Sequence, residues 1–190
     1  MKKIFSACLM CLLAWGCATY NSADVISSGE RYAPNADDRP YLIGPGDQLG
    51  ITVYNETGIT GTYAVGADGT VTLPLVGVVK AEGKTPQELA KDTQDLYAAG
   101  YLRLPSVSVQ VTQYRPIYVL GEVNTAGQYP YAPGMSALSA IATAKGFSPR
   151  AEKKVLFIRR EGSDIEQVYA LTAGLRIYPG DTIRVEERYF

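Results

Sequence analysis

The residue types that most often do chemistry in proteins are thinly supplied in this chain. It contains no histidine, which removes the commonest general base and the commonest metal ligand. All of its 3 cysteines, Cys8, Cys11 and Cys17, fall at the N-terminal end. The body therefore offers no thiol for a nucleophile, a disulfide or a zinc site, and neither a metal nor a cofactor is expected. Glu186 and Glu187 are adjacent carboxylates, but neighbours on a strand point to opposite faces and cannot flank one glycosidic bond. Lys153-Lys154 and Arg159-Arg160 are basic pairs that could meet an acidic polymer. The ordinary reading of such pairs is a solvated face, and on a strand Arg159 and Arg160 would diverge. Among 14 tyrosines, Tyr129 and Tyr131 could stack on sugar rings, although tyrosine is also a normal strand-packing residue. No catalytic set emerges, and the chain is not expected to be an enzyme.

The N-terminus has a different character. Lys2 and Lys3 precede an apolar run from Ile4 to Trp15 that is too short to span a bilayer, so residues 1–16 read as a signal peptide. With those two lysines removed, the 18 basic residues fall to 16 against 19 acidic ones, and no basic excess points to nucleic acid. The junction Ala14-Trp15-Gly16-Cys17 places a small residue before a cysteine and resembles the lipobox of bacterial lipoproteins. In those proteins the cysteine thiol carries diacylglycerol and becomes the new N-terminus. Ordinary cleavage after Gly16 is the alternative. Ala18 stands where an aspartate would retain a lipoprotein in the inner membrane, which implies outward sorting. Residues 18–39 are small, polar and aperiodic, and read as a disordered tether.

The elements that must position everything else begin at Tyr41. Gly44-Pro45-Gly46-Asp47 carries Pro-Gly at the centre of a type II turn. Gln48 to Tyr54 alternates, with Leu49, Ile51 and Val53 on one strand face. Thr62 to Val65 and Thr70 to Leu73 flank Gly66-Ala67-Asp68-Gly69 as a hairpin, and Leu75 to Val79 is a further short strand. Thr85-Pro86-Gln87-Glu88 is a capping box that opens a helix with Leu89, Leu96 and Tyr97 as its stripe, ended by Gly100. Ser106 to Gln113 alternates again. After Pro116 come a strand at Ile117 to Leu120, a return at Gly127 to Tyr129, and a helix from Ala137 to Lys145 capped by Ser136. Val155 to Arg160 and Ile165 to Leu171 form a hairpin around Glu161-Gly162-Ser163-Asp164. That order is the β-grasp order. The segment Ile43-x-Pro45-Gly46-Asp47-x-Leu49-x-Ile51 recurs as Ile177-x-Pro179-Gly180-Asp181-x-Ile183-x-Val185. Pro-Gly-Asp is good turn chemistry anywhere, so the echo alone does not establish a repeat.

Taken in order, these segments resemble the outer-membrane polysaccharide export (OPX) family, the auxiliary lipoproteins of capsule and exopolysaccharide secretion. The resemblance is carried by Cys17 with its tether, by Tyr41-Leu42-Ile43-Gly44-Pro45-Gly46-Asp47-Gln48-Leu49, and by Tyr118-Val119-Leu120-Gly121-Glu122-Val123-Asn124-Thr125-Ala126-Gly127-Gln128-Tyr129. The ending, Tyr178-Pro179-Gly180-Asp181-Thr182-Ile183, completes it. It implies an α+β chain: a β-rich polysaccharide-export domain over residues 40–113, a β-grasp module of the SLBB type over residues 114–171, and a C-terminal strand segment at 172–190. Residues 17–39 are then the lipidated N-terminus and tether. Cys17 is the implied lipid attachment site. Gly44, Pro45, Gly46, Asp47, Pro179, Gly180 and Asp181 are structural turn residues. Gly121, Glu122, Val123, Gly127 and Tyr129 are the candidate β-grasp motif.

The implied function is that of a lipid-anchored component at the periplasmic face of the outer membrane of a Gram-negative envelope, forming part of a conduit for a secreted polysaccharide. The family implies homo-oligomeric rings, octameric in known members, and an inner-membrane polysaccharide co-polymerase as partner. Long members carry a second β-grasp module and a C-terminal amphipathic helix that lines the outer-membrane pore. This sequence shows neither, so a separate outer-membrane β-barrel porin is expected. The alternative is a β-grasp module that binds a soluble glycan or small ligand without forming a conduit.

Overall fold

The computed structural model describes residues 25–26 and 40–188. The signal peptide, Cys17 and most of the expected tether lie outside the described residues. Val25–Ile26 forms a two-residue strand, β1, which corrects the tether reading at that point.

The first unit contains β2 (Gln48–Val53), β3 (Gly61–Ala64), β4 (Thr70–Leu73), β5 (Gly77–Lys80), α1 (Pro86–Ala98) and β6 (Val107–Gln113). β2 lies between β3 and β6, antiparallel to both. Leu49, Ile51 and Val53 all point inward and are buried, as the period-two alternation requires. One core gathers Ile43, Leu49, Ile51, Val65, Val71, Leu73, Val79 and Leu89.

The expected hairpin around residues 66–69 does not form. β3 pairs with β2, whereas β4 pairs with β5 in a separate two-stranded sheet. The Val65 amide is committed to the Asp47 carbonyl, and the Gly69 carbonyl accepts from Ala81 and Glu82. The turn therefore hands the chain from one sheet to another. The strand expected at 75–79 begins later, at Gly77, and Leu75 is an exposed turn residue at φ 70°.

The start of α1 follows the sequence reading. Thr85 accepts from the Glu88 amide, and the Glu88 carboxylate accepts from the Thr85 amide at 2.8 Å. The buried stripe is Leu89, Thr93 and Tyr97, an i, i+4, i+8 row, while Leu96 falls off its edge and is exposed. The hydrogen bonds from Thr85 hold the Glu88 carboxyl below its ordinary 4.5. A lowered folded value means that the stabilisation is present above 4.5 and lost as pH falls through the folded value. Thermal melts of wild type and Glu88→Gln should therefore converge as pH drops below that point. A gap that stays constant from pH 7 to pH 3 would refute this role.

The second unit contains β7 (Ile117–Gly121), β8 (Gly127–Tyr129), α2 (Ala137–Thr143), β9 (Val155–Arg159), β10 (Glu166–Ala170) and β11 (Thr182–Val185). Its sheet order is β1-β10-β9-β11-β7-β8. β11 is parallel to β7 and antiparallel to β9, and β1 is parallel to β10. The small residues Ala137, Ala140 and Ala144, with Ile141, let α2 sit close on Ile117, Val119, Leu156, Ile158, Ile183 and Val185. This is the β-grasp arrangement expected from element order. Two details differ. α2 ends at Thr143, where Lys145 already has φ 63°, rather than running to Lys145. Residues set apart as a C-terminal segment supply β11, which lies between β7 and β9 inside this sheet.

Candidate functional site

The two Pro-Gly-Asp segments prove equivalent down to individual hydrogen bonds. In each, the Asp amide closes the turn onto the carbonyl three residues back, Asp47 to Gly44 and Asp181 to Tyr178, both at 3.2 Å. Gly46 and Gly180 take φ of 88° and 84°, as the third position of a type II turn demands. Each Asp carboxylate then accepts from the amide at i−3, Gly44 at 2.9 Å and Tyr178 at 2.8 Å. Each turn also docks on a neighbouring segment. Gly46 donates to Val65 and Asp47 accepts from it; Gly180 donates to Pro116 and Asp181 accepts from Tyr118.

Both aspartates are buried, and each is matched by an arginine. Asp47 accepts from the Arg115 backbone amide at 2.9 Å and from its guanidinium at 3.0 Å, and from the Tyr41 hydroxyl at 2.5 Å. Asp181 accepts from Arg160 at 2.5 Å, and the Arg160 guanidinium lies 5.1 Å and 5.0 Å from the ring centroids of Tyr169 and Tyr178. Burial pushes the Asp181 carboxyl above its ordinary range, against the pull of Arg160. Burial, reinforced by Asp47, pushes the Tyr41 phenol well above its usual value, so it acts as a fixed donor. The sequence reading of Arg160 as part of a solvated basic pair is thus corrected: its partner Arg159 is exposed, but Arg160 is half-buried and paired.

Arg115 does more than neutralise Asp47. Its guanidinium also pairs with Glu161, in the turn between β9 and β10. Tyr114 beside it makes edge-to-face contacts with Tyr41 at 4.9 Å and with Tyr131 at 5.5 Å. One guanidinium and three rings in edge-to-face contact therefore join the two units at the seam. Tyr131 is engaged there, and Tyr129 donates to the Thr125 carbonyl at 2.6 Å while packing on the core. Both serve packing rather than an open stacking platform. Nothing in the sequence marked Arg115, which lies 68 residues from Asp47.

The β-grasp motif is a latch for α2. Helix ends leave carbonyls unsatisfied, and here the Asn124 amide bonds Gly146, the Thr125 amide bonds Ala144, and the Asn124 side chain bonds Lys145 at 2.7 Å. Glu122 accepts from the Ser148 hydroxyl at 2.5 Å, and Val123 bridges to Phe147. Gly121, at φ 82°, is pressed against the Val185 backbone of β11. Gly127 has an open position with nothing within 4 Å of where a Cβ would sit. No group here is placed for bond-breaking chemistry; the seam and the latch hold geometry.

Residues 35–112 match the family described as "Polysaccharide biosynthesis/export protein". That segment is similar to the polysaccharide export family. The match covers nearly all of the first unit, with its Pro-Gly-Asp turn. The chain is also 42% identical over 105 residues to the exopolysaccharide production protein ExoF of Rhizobium meliloti, covering 53% of this chain and 24% of ExoF. It is 28% identical over 183 residues to the EPS I polysaccharide export outer membrane protein EpsA of Ralstonia nicotianae, 78% of this chain and 48% of EpsA. It is 25% identical over 153 residues to the polysialic acid transport protein KpsD of Escherichia coli, 80% of this chain and 27% of KpsD. The chain thus spans from about a quarter to about half the length of these relatives. The family is one of export components and not of enzymes. Among the described residues, no helix is long and apolar enough to cross a membrane.

Proposed function

We propose that the chain is a non-enzymatic component of a polysaccharide export machine, anchored through a lipid on Cys17 to the periplasmic face of the outer membrane. The match of residues 35–112 to the export family carries this reading. The names of EpsA as an outer membrane export protein and of KpsD as a polysialic acid transport protein support it. In this reading the β-grasp unit is an SLBB module, and copies of the chain form a ring around the passing polymer. An inner-membrane co-polymerase delivers the polymer, and a separate β-barrel porin completes the path. The seam at Arg115 suits a ring subunit, because two units fixed at one angle present fixed, different surfaces to two neighbours.

Deletion of the gene should abolish surface polysaccharide while intracellular sugar precursors persist, and the intact chain supplied in trans should restore it. Cys17→Ser should restore it poorly and release the protein from membranes. Unchanged surface polysaccharide in the deletion strain would overturn the reading.

A further inference from the structure

The solvent face of the second sheet carries a row of side chains that the seam and the latch do not use. Thr182 on β11 stands opposite Tyr118 on β7 and opposite Arg159 on β9. Tyr118 in turn stands opposite Gln128 on β8, and Arg159 opposite Glu166 on β10. Residues in register on adjacent strands share a face, so Gln128, Tyr118, Thr182, Arg159 and Glu166 cross five strands in one line. All are exposed except Thr182, which is half-buried. Over that line lies a cavity of about 420 Å³, lined in part by Tyr118, Leu120, Arg159, Gly162 and Thr182. That size lies within the range of small-molecule sites.

The register gives Arg159 a carboxylate, and the structure takes it away. Glu166, directly opposite, is held by Arg184, with Nε at 3.0 Å and Nη2 at 2.5 Å. Arg184 also takes Glu186 at 2.7 Å and lies 4.3 Å from the Phe157 ring centroid. The other charged residues of the cavity are satisfied too, Arg160 by Asp181 and Glu161 by Arg115. Among the described residues Arg159 pairs with no carboxylate; its one hydrogen bond is a long 3.3 Å contact with the Thr182 hydroxyl. That contact aims the guanidinium along the row while leaving its other donors to solvent.

We propose that this row binds a carboxylate-bearing sugar unit, with Arg159 taking the carboxylate and Tyr118 stacking on the ring. The proposal rests on the export reading and names the class of polymer that the machine carries. A guanidinium grips a carboxylate through two parallel hydrogen bonds. An exposed tyrosine ring offers an apolar face to the C–H side of a pyranose, and the Thr182 hydroxyl and Gln128 amide can each donate to or accept from sugar hydroxyls. An open, single-arginine site holds one unit weakly, which suits a polymer that must move on and that offers the same unit repeatedly.

The test is an NMR titration of the purified full-length chain in detergent with a glucuronate-containing probe, a hyaluronan hexasaccharide, against neutral maltohexaose and inorganic sulfate. Amide shifts should concentrate on β7, β9 and β11. Arg159→Gln should weaken the acidic probe by about tenfold or more, as loss of a charged hydrogen-bond pair does, and Arg159→Lys should restore part of it. Tyr118→Leu should weaken the acidic probe without changing the melting temperature. Maltohexaose and sulfate should both bind at least about tenfold more weakly. Equal binding of the neutral and acidic oligosaccharides, equal binding of sulfate, or full affinity in Arg159→Gln would overturn the proposal. Those results would leave the export reading standing, because that reading falls only with an unchanged deletion strain.

Discussion

Gly121→Ala should be among the most damaging single-methyl additions available in this chain. Two penalties coincide at that position. A φ of 82° lies in the left-handed region, which costs a non-glycine residue about 1 kcal/mol. The new Cβ would also be driven into the Val185 carbonyl, a backbone atom that cannot rotate away. Relief requires β7 and β11 to separate, and β11 holds the centre of the sheet. The combined cost should be on the order of 4 kcal/mol, at the diagnostic end of point-mutant effects. For a chain of this size that is roughly a 10 °C fall in melting temperature. Gly127→Ala is the matched control, since that glycine belongs to the same motif yet has open space at its Cβ position. It should melt within about 2 °C of wild type, consistent with a cost below about 0.5 kcal/mol. Equal melts for the two alanine variants would refute the close-approach argument.

Asp47→Ala should have a comparable effect through a different route. The substitution removes the acceptor for the Gly44 amide, the Tyr41 hydroxyl, and both the backbone and the guanidinium of Arg115. Taking the buried one of its two anions from a largely buried guanidinium costs up to about 3–5 kcal/mol. Because Arg115 also holds Glu161, the damage should extend to the seam. Limited proteolysis should therefore show new cleavage around residues 114–116 in Asp47→Ala and none in wild type. Replacing both partners with apolar residues, Asp47→Leu with Arg115→Met, should recover part of the lost stability, since it removes both members of the buried pair and leaves only the solvent-accessible Glu161 without its cation. If Asp47→Ala melts like wild type and stays protease-resistant at the seam, Asp47 is not the keystone of this junction.

What the sequence disclosed and what it hid divide along the length scale of the interaction. The α1 cap was legible because Thr85 and Glu88 satisfy each other three residues apart. The Pro-Gly-Asp turns were legible for the same reason. The turn at 66–69 carried a good hairpin signature, yet a turn signature does not say which neighbour a strand takes: β3 pairs back with β2 and β4 pairs onward with β5. The role of β11 was invisible because a parallel strand leaves no turn signature beside its partner. Strand alternation separated Arg159 from Arg160, but only the fold shows that Arg160 meets Asp181 while Arg159 faces solvent. The Arg115 cluster had no local marker at all, since its acids lie 68 and 46 residues away.

The position of β11 also dictates an order of assembly. A chain delivered N-terminus first can complete the β2, β3 and β6 sheet as soon as residue 113 is available. The second sheet cannot follow by simple accretion. Its β7–β8 hairpin and its β9–β10 hairpin share no hydrogen-bonded edge until Thr182–Val185 slides between them. Until then two hairpins expose unpaired strand edges to the surroundings, and α2 has only part of its bed. The closing contact between β7 and β11 is among the most non-local in the unit, which makes it slow to form. The first unit thus gains a kinetic head start over the second, and the interval before β11 inserts is when the second is most open to chaperones, proteases and mispairing with another copy of itself.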